Sequence, residues 1–391
     1  MIRHSRPWVE EEDVAAVAAA MRSGDLAAGE QVRRFEVEVA ALVEQRYGVA
    51  TSSGTAALHL SLLALGVGEG EEVILPAYTC AAVLNAVHQA RATPVLCDVD
   101  EETGNLSPGE VRGRVGPRTR AVIVVHSFGH PADLSSMDEA RPPVIEDCSQ
   151  ALGARWRGRP VGGYGLVSVL SFYATKVITT GVGGMACTSD PRLAERMRSL
   201  RECDKHDHYE VRYNCQMSDL QASLGLSQLA RLPEALRRRR ALAAEYSSTL
   251  SELDVRLPPS SPDCEPVFYR YVVRVPDVDW AISAFGSRAV ECKRPVYRPL
   301  HHYLPGASGH LPNTDRVYSE ALSLPLYPAL SRQEVRLLLG AAQEVLVARS
   351  PAATATVPRS AQADRDGGSQ SLATAGGLAA REQRPVRRKA A

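Results

Sequence analysis

The 391-residue chain has no net charge, since 45 lysines and arginines balance 45 aspartates and glutamates. No overall field therefore draws it to nucleic acid or to an anionic membrane surface, and any charged partner must be met locally. It also lacks an apolar run approaching the roughly 18 residues a membrane helix needs. Its opening, MIRHSRPWVEEED, lacks the apolar core of a signal peptide, so a cytoplasmic location is expected. The eight cysteines are scattered from Cys80 to Cys292, several within strand-like runs such as PVLCDV and GMACT. Reduced cysteine packs there as a small hydrophobe, and no disulfide is expected. Cys203, His206, His208 and Cys215 are residue types that zinc accepts, but they lack the paired CxxC form, and no metal is expected. GVGEGEE, from Gly66, lacks the full dinucleotide fingerprint and follows a helix, the wrong context for that motif; it reads as a turn.

What is present is enough apolar residue, 45% of the chain, to fill a sizeable core. Val14, Val17, Ala18 and Met21 recur at helical spacing and predict an amphipathic helix over residues 10–21, with a second near residues 32–47. Short apolar runs follow: VIL from Val73, PVLC from Pro94, AVIVV from Ala121 and VIE from Val144. The intervals are long enough for the crossovers of parallel strands, and the runs suit strands covered on both faces. A doubly wound α/β domain is predicted. VSVLSF and GGMACT, closer together around the glycine-rich TTGVGG, predict an antiparallel hairpin. From Pro233 a helix through RRRRALAAEYSSTL is expected, with the four arginines pointing in all directions on a solvated helix rather than forming a nucleic-acid patch. VFYRYVVRV predicts a strand and SRQEVRLLLGAAQEVL a last helix. The division expected is a large domain over 1–232, a smaller α+β domain over 233–349, and a disordered tail over 350–391, which is nearly devoid of large apolar residues.

Three segments carry chemistry, each placed where a parallel sheet exposes ligand sites, just past the carboxyl end of a strand. In TSSGTAALHL, Ser53, Gly54 and Thr55 precede an apolar helix; hydroxyls and free N–H groups there bind a phosphate. Ser-Gly-Thr is also an ordinary helix cap. In VIEDCSQALGA, Asp147 follows a fully apolar strand, where a carboxylate needs a cationic or hydrogen-bonding partner. A protonated pyridine nitrogen would serve, and a capping aspartate is the alternative. Gln150 is close enough in a turn to address the same ligand. In SFYATKVITTGVGG, Lys176 lies four residues after Phe172, where its amine can add to a carbonyl, and Ser171 offers another phosphate hydroxyl.

With these residues placed, the chain resembles the DegT/DnrJ/StrS family of sugar aminotransferases over roughly residues 5–345. The likeness runs through SRPWVEEEDVAAV, FEVEVAALVEQRYGVATSSGTAALHLSLLALGVGEGEEVILPAYT, VVHSFGHPADL, VIEDCSQALGA, SFYATK, GVGGM, NCQMSDLQASLGLSQL and LSLPLYPALS. It implies the α/β fold of type I transferases dependent on pyridoxal 5'-phosphate, with a mostly parallel seven-stranded sheet in the large domain and a smaller α+β domain. Lys176 would be the Schiff-base lysine, Asp147 would pair the pyridine nitrogen, and Gln150 would lie near the phenolic oxygen. Ser53, Gly54, Thr55 and Ser171 would grip the phosphate. Asn214 would reach the phosphate of a neighbouring subunit, which implies a homodimer with shared active sites.

This chain departs from the family's pattern in three places. Thr79-Cys80 stands where an aromatic usually stacks on the cofactor ring, so Tyr78 is a candidate to cover it. Gln216 replaces a usual arginine, and the tail has no counterpart. The activity implied is ping-pong transfer of an amino group from glutamate or glutamine to a keto sugar nucleotide or keto cyclitol. His301, His302 and Tyr303 are candidate substrate contacts, or alternatively surface loop residues. Two further readings are a family dehydratase, in which histidine replaces the lysine, and a regulatory protein that binds the cofactor without turnover.

Overall fold

A computed structural model describes residues 1–135, 142–204, 206–304 and 310–347. The expected disordered tail lies outside them. Two helices, α1 (Glu11–Ser23) and α2 (Glu30–Leu42), precede β1 (Tyr47–Thr51). The chain then alternates through α3 (Gly54–Ala64), β2 (Glu72–Pro76), α4 (Ala81–Gln89), β3 (Thr93–Cys97), α5 (Pro108–Arg114), β4 (Thr119–Val125) and β5 (Val144–Asp147). Two short strands follow, β6 (Arg155–Trp156) and β7 (Arg159–Pro160), then β8 (Val167–Ser171), β9 (Gly184–Thr188) and α6 (Pro191–Arg201).

These build a seven-stranded sheet of order β1-β9-β8-β5-β4-β2-β3, the mostly parallel α/β sheet expected. Only β9 runs antiparallel to its neighbours, pairing β8 and β1, so the predicted hairpin is present. The strands are apolar on both faces because both are covered. Val122 and Val124 join one apolar layer with Phe35, Leu170 and Phe172. Their alternates Ile123 and Val125 join the other, with Leu60, Val73 and Leu75, as a two-residue pleat requires.

The first two helices differ from expectation. Val14 and Met21 are exposed, at 54% and 63%, whereas Asp13 is buried at 1%. The helix docks through that carboxylate, which accepts from Ser227 Oγ and Gln228 Nε2, both at 2.7 Å, and pairs with Arg231. Helix α2 ends before Tyr47, because Glu44 turns into the left-handed region at φ 55 and the chain enters β1. The far end of α2 is capped from a distance: Asp219 accepts from the N–H groups of Gly29, Gln31 and Val32 at 2.8, 3.2 and 2.9 Å.

Asp219 opens α7 (Asp219–Ala230), and α8 (Leu232–Leu250) leads on. Its arginine run is not wholly solvated: Arg239 is 3% exposed and donates to the carbonyls of Phe268, Tyr269 and Leu326. Beyond it lie β10 (Cys264–Glu265), β11 (Tyr271–Arg274), α9 (Val278–Gly286), α10 (Pro312–Glu320), β12 (Ala321–Leu324) and α11 (Arg332–Val347). Strand β11 is shorter than predicted, since Phe268 adopts φ 48 and breaks the run. It pairs antiparallel with β12 over a separate apolar cluster containing Tyr246, Phe285 and Leu338. All cysteines in the described residues are free. Among those residues no helix is long and apolar enough to cross a membrane.

Candidate active site

Sheet order brings the three chemical segments to one edge. Asp147, the last residue of β5, pairs in register with Val169 of β8, two residues before Ser171 and seven before Lys176. On the other side of β8, Ser171 pairs with Gly184 of β9, which also pairs with Thr51 at the end of β1. The turn from β1 into α3 therefore lies against Ser171. A side chain at Gly54 would place Cβ 2.8 Å from Ser171 Cβ, and one at Gly184 would strike Ser53 C and Gly54 N. Two glycines in contact are what let the helix start sit this close to the strands.

The result is a cradle of donors at the start of an eleven-residue helix. Ser53 Oγ caps it by accepting from Ala56 N at 3.1 Å, which leaves the hydroxyl proton available. No described residue bonds the hydroxyls of Thr55 or Ser171, nor do these two bond each other. Unspent hydroxyls and N–H groups at a helix start suit a phosphate. Ser53, Gly54, Thr55 and Ser171 are thus brought together.

Asp147 is 7% exposed and accepts one hydrogen bond, from Ser149 N to Oδ1 at 2.9 Å. Its second oxygen bonds no described residue. A buried carboxylate with half its capacity unspent calls for a cationic donor. The neighbouring Glu146 is in the opposite condition. It is fully buried and accepts from His126 Nε2 at 3.1 Å and from the N–H groups of Gly162, Tyr164 and Gly165. Although burial opposes it, those bonds hold its pKa below the usual carboxylate range. Glu146 thereby staples the 162–165 turn beneath the strand end.

Gln150 Oε1 accepts from Phe128 N at 2.8 Å. That N–H is aimed by an unusual backbone, φ 60 at Phe128, and the bond fixes the amide so that its NH2 is left to donate. Lys176 is half-buried, with Nζ 5.1 Å from the ring centre of Tyr269 and no carboxylate within ion-pair distance among the described residues. Its loop is closed by Phe172 N to Gly183 O and Thr180 N to Phe172 O, both 2.9 Å.

Tyr269, unremarked in the sequence, is the additional residue here. Its hydroxyl lies 3.5 Å from Thr175 Oγ1 and accepts from Arg270 Nη2 at 3.2 Å, while the Arg270 guanidinium sits 4.6 Å from its ring. Burial raises its pKa, but Lys176, Arg270, Thr175 and Arg239 outweigh that and bring it below the ordinary tyrosine value. A tyrosine in a predicted strand carries no signal of this; its partners come from other parts of the chain.

Tyr78, the candidate to cover the ring, lies in an apolar cluster just beyond β2. It is 1% exposed, packed with Val99, Val296 and Val317 and edge-on to Phe128 at 6.0 Å. Cys80 is exposed at the start of α4. Asn214 is exposed and its side chain bonds no described residue; the adjacent Cys215 O accepts from Ser52 N at 2.8 Å, which sets Asn214 beside this chain's own cradle turn. His301, His302 and Tyr303 form a short 3-10 turn tied by Leu300 N to Ala77 O at 2.9 Å. Cys203, His206, His208 and Cys215 are not gathered into a metal-holding group among the described residues.

A mostly parallel sheet thus gathers, beyond its strand ends, a helix start with unspent hydroxyls, a half-satisfied acid and a lysine with no ion-pair partner among the described residues. Residues 7–342 match the DegT/DnrJ/EryC1/StrS aminotransferase family, and the chain belongs to it. It is 37% identical over 347 residues to dTDP-3-amino-3,4,6-trideoxy-alpha-D-glucose transaminase of Streptomyces venezuelae, covering 85% of this chain and 92% of the relative. Among solved structures, the aminotransferase TlmJ from Streptoalloteichus hindustanus superposes with a TM-score of 0.85 at 37% identity, covering 89% of this chain and 99% of that one. DesV of S. venezuelae, solved in complex with a ketimine intermediate, gives a TM-score of 0.81 at 37% identity, covering 85% of this chain and 94% of its own.

Proposed function

We propose that this aminotransferase uses pyridoxal 5'-phosphate to move an amino group from glutamate or glutamine to a keto sugar, nucleotide-linked, or to a keto cyclitol, in the cytoplasm. The observation that carries the reading is the unspent bonding capacity at one sheet edge: Thr55 and Ser171 hydroxyls, one oxygen of Asp147, the Gln150 amide and the Lys176 amine. Each matches one polar feature of the cofactor, namely phosphate, pyridine nitrogen, phenolic oxygen and carbonyl carbon. When bound, the cofactor supplies an electron sink for a carbanion.

The chain's own residues do the rest. The buried Asp147 carboxyl, with one oxygen unspent among the described residues, would hold the ring-nitrogen proton. Gln150, its oxygen occupied by Phe128 N, donates through its amide nitrogen. Lys176 would hold the cofactor through its amine and would move the proton at the substrate carbon; a positioned base of this kind contributes about 10² to 10⁴ in rate. Tyr269 lies within reach of that amine and excludes water from its flank. Relatives named for amino-sugar transamination support the acceptor class. A homodimer in which Asn214 reaches the phosphate of the partner subunit is part of the same proposal and rests on the likeness to the family. The division into a large part over 1–232 and a smaller one over 233–349 is part of the same proposal.

The test is spectroscopic and chemical. Purified protein should carry the cofactor's visible absorbance, lose it on adding glutamate or glutamine, and pass labelled nitrogen to a keto sugar nucleotide or an inosose-type ketone. Lys176→Ala should abolish transfer while leaving the fold intact. Retained transfer in that variant would overturn the assignment.

A further inference from the structure

On the surface made by the 300–303 turn and α10, two adjacent histidines converge on one carboxylate oxygen. His301 Nε2 lies 3.0 Å and His302 Nε2 3.5 Å from Asp315 Oδ1. The two rings meet edge-on with centroids 4.3 Å apart, and all three ligand atoms fall within 4.8 Å of one another. We propose that His301, His302 and Asp315 form a binding site for a divalent transition-metal ion of the zinc, cobalt or nickel type.

Geometry supplies the first argument. Tetrahedral zinc, with nitrogen and oxygen ligands at about 2.0–2.1 Å, spaces neighbouring ligand atoms by about 3.3 Å. The measured separations, 3.0 and 3.5 Å, bracket that edge. Two imidazoles and one carboxylate suit such ions, and three protein ligands leave positions for water.

Preorganisation supplies the second. Leu300, next to His301, is fully buried, and its N–H is bonded to Ala77 O just beyond β2. Thr314, next to Asp315, is also fully buried; its N–H and hydroxyl, with Asn313 N, are held by Asp98 just beyond β3 at 2.7 to 3.0 Å. Both ligand-bearing segments are thus pinned to the ends of neighbouring strands of the main sheet. Closing the site costs little chain entropy.

Access and competition agree. The His301 side chain is 10% exposed, His302 35% and Asp315 57%, so the site has a floor and a mouth. No lysine or arginine nitrogen reaches the Asp315 carboxylate within 4.0 Å among the described residues. His301 Nε2 donates to Asp315, and Nδ1 has no partner among the described residues, so an arriving ion would take the place of the Nε2 proton against the carboxylate. Sequence spacing alone does not reveal the set, since neighbouring histidines separated from an aspartate by an intervening segment match no standard ligand pattern.

The experiment uses chelator-stripped full-length protein carrying its cofactor, without amino donor or ketone, titrated with Zn²⁺ by calorimetry and with Co²⁺ by visible absorbance. One ion per chain is expected, with a cobalt band of low coordination number, and protons should compete with the ion. His302→Ala and Asp315→Asn should each weaken binding at least tenfold and erase the band, with metal-free melting unchanged. Cys203→Ser, an exposed thiol elsewhere, should leave both intact. An ion still bound in both site variants, or none bound at micromolar concentration, would overturn the proposal. Neither result touches the amino-transfer reading, which rests on nitrogen transfer.

Discussion

Gly184→Ala is the substitution that bears most directly on the cradle. Its Cβ would lie closer than 3.0 Å to Ser53 C and Gly54 N, both main-chain atoms that cannot rotate away. The start of α3 must lift off the β8–β9 hairpin, or the hairpin must give. Forcing one methyl into a filled space costs about 1–3 kcal/mol. If the lift is borne by the turn that grips phosphate, the same energy appears as lost cofactor affinity, roughly 5- to 140-fold at about 1.4 kcal/mol per factor of ten. The assay is titration of the apoenzyme with pyridoxal phosphate, beside denaturant unfolding of the same apoenzyme. The sum of the two losses should fall in that range. Wild-type affinity together with wild-type stability would refute the claim that these glycines set the cradle.

Gly340→Ala should do the reverse. It lies within α11 with open space around the added carbon, and alanine there should stabilise the chain by about 0.5–1 kcal/mol in denaturant unfolding; a loss would contradict the packing described. Asp147→Asn keeps an acceptor for Ser149 N but removes the anion, so nitrogen transfer should slow by about 10² or more with melting unchanged, and an undiminished rate would remove the acid from the site. His4 is held neutral, its pKa lowered to about 3 by burial and by Arg270 and Lys293. The unfolded chain takes up that proton near pH 6.5 whereas the native one does not, so His4 draws stability down as pH falls from about 6.5 towards 3. His4→Gln should flatten that limb of an unfolding pH series, and parallel curves would argue against a neutral buried ring.

The parallel strands were legible because both of their faces are buried, which leaves continuous apolar runs in the sequence. Strand β1 was not: YGVAT is short and follows directly on a helix, and nothing local marks Glu44 as the break. The inward face of α1 was misread because its anchor is Asp13, which is satisfied by residues of α7 and Arg231. A helical apolar stripe says nothing about a polar dock. At the site, the acid and the lysine lie just beyond predicted strands and the cradle just beyond β1, and sheet order brings them together. Tyr269 carries no local signal and Arg239 reads as one more solvated arginine, because their environments are assembled from distant segments, and the left-handed Phe128 that orients Gln150 has no signature in residue type.

The loop bearing Lys176 is tied shut at its neck, with Phe172 bonded to both Gly183 and Thr180. Such a tether shortens the travel open to the nucleophile's main chain. Each reach of the amine, toward one carbon or another, must be made by bond rotations along four methylenes. Reactant and product must therefore both be brought to a fixed post, and selectivity among ketones belongs to the walls that steer them there.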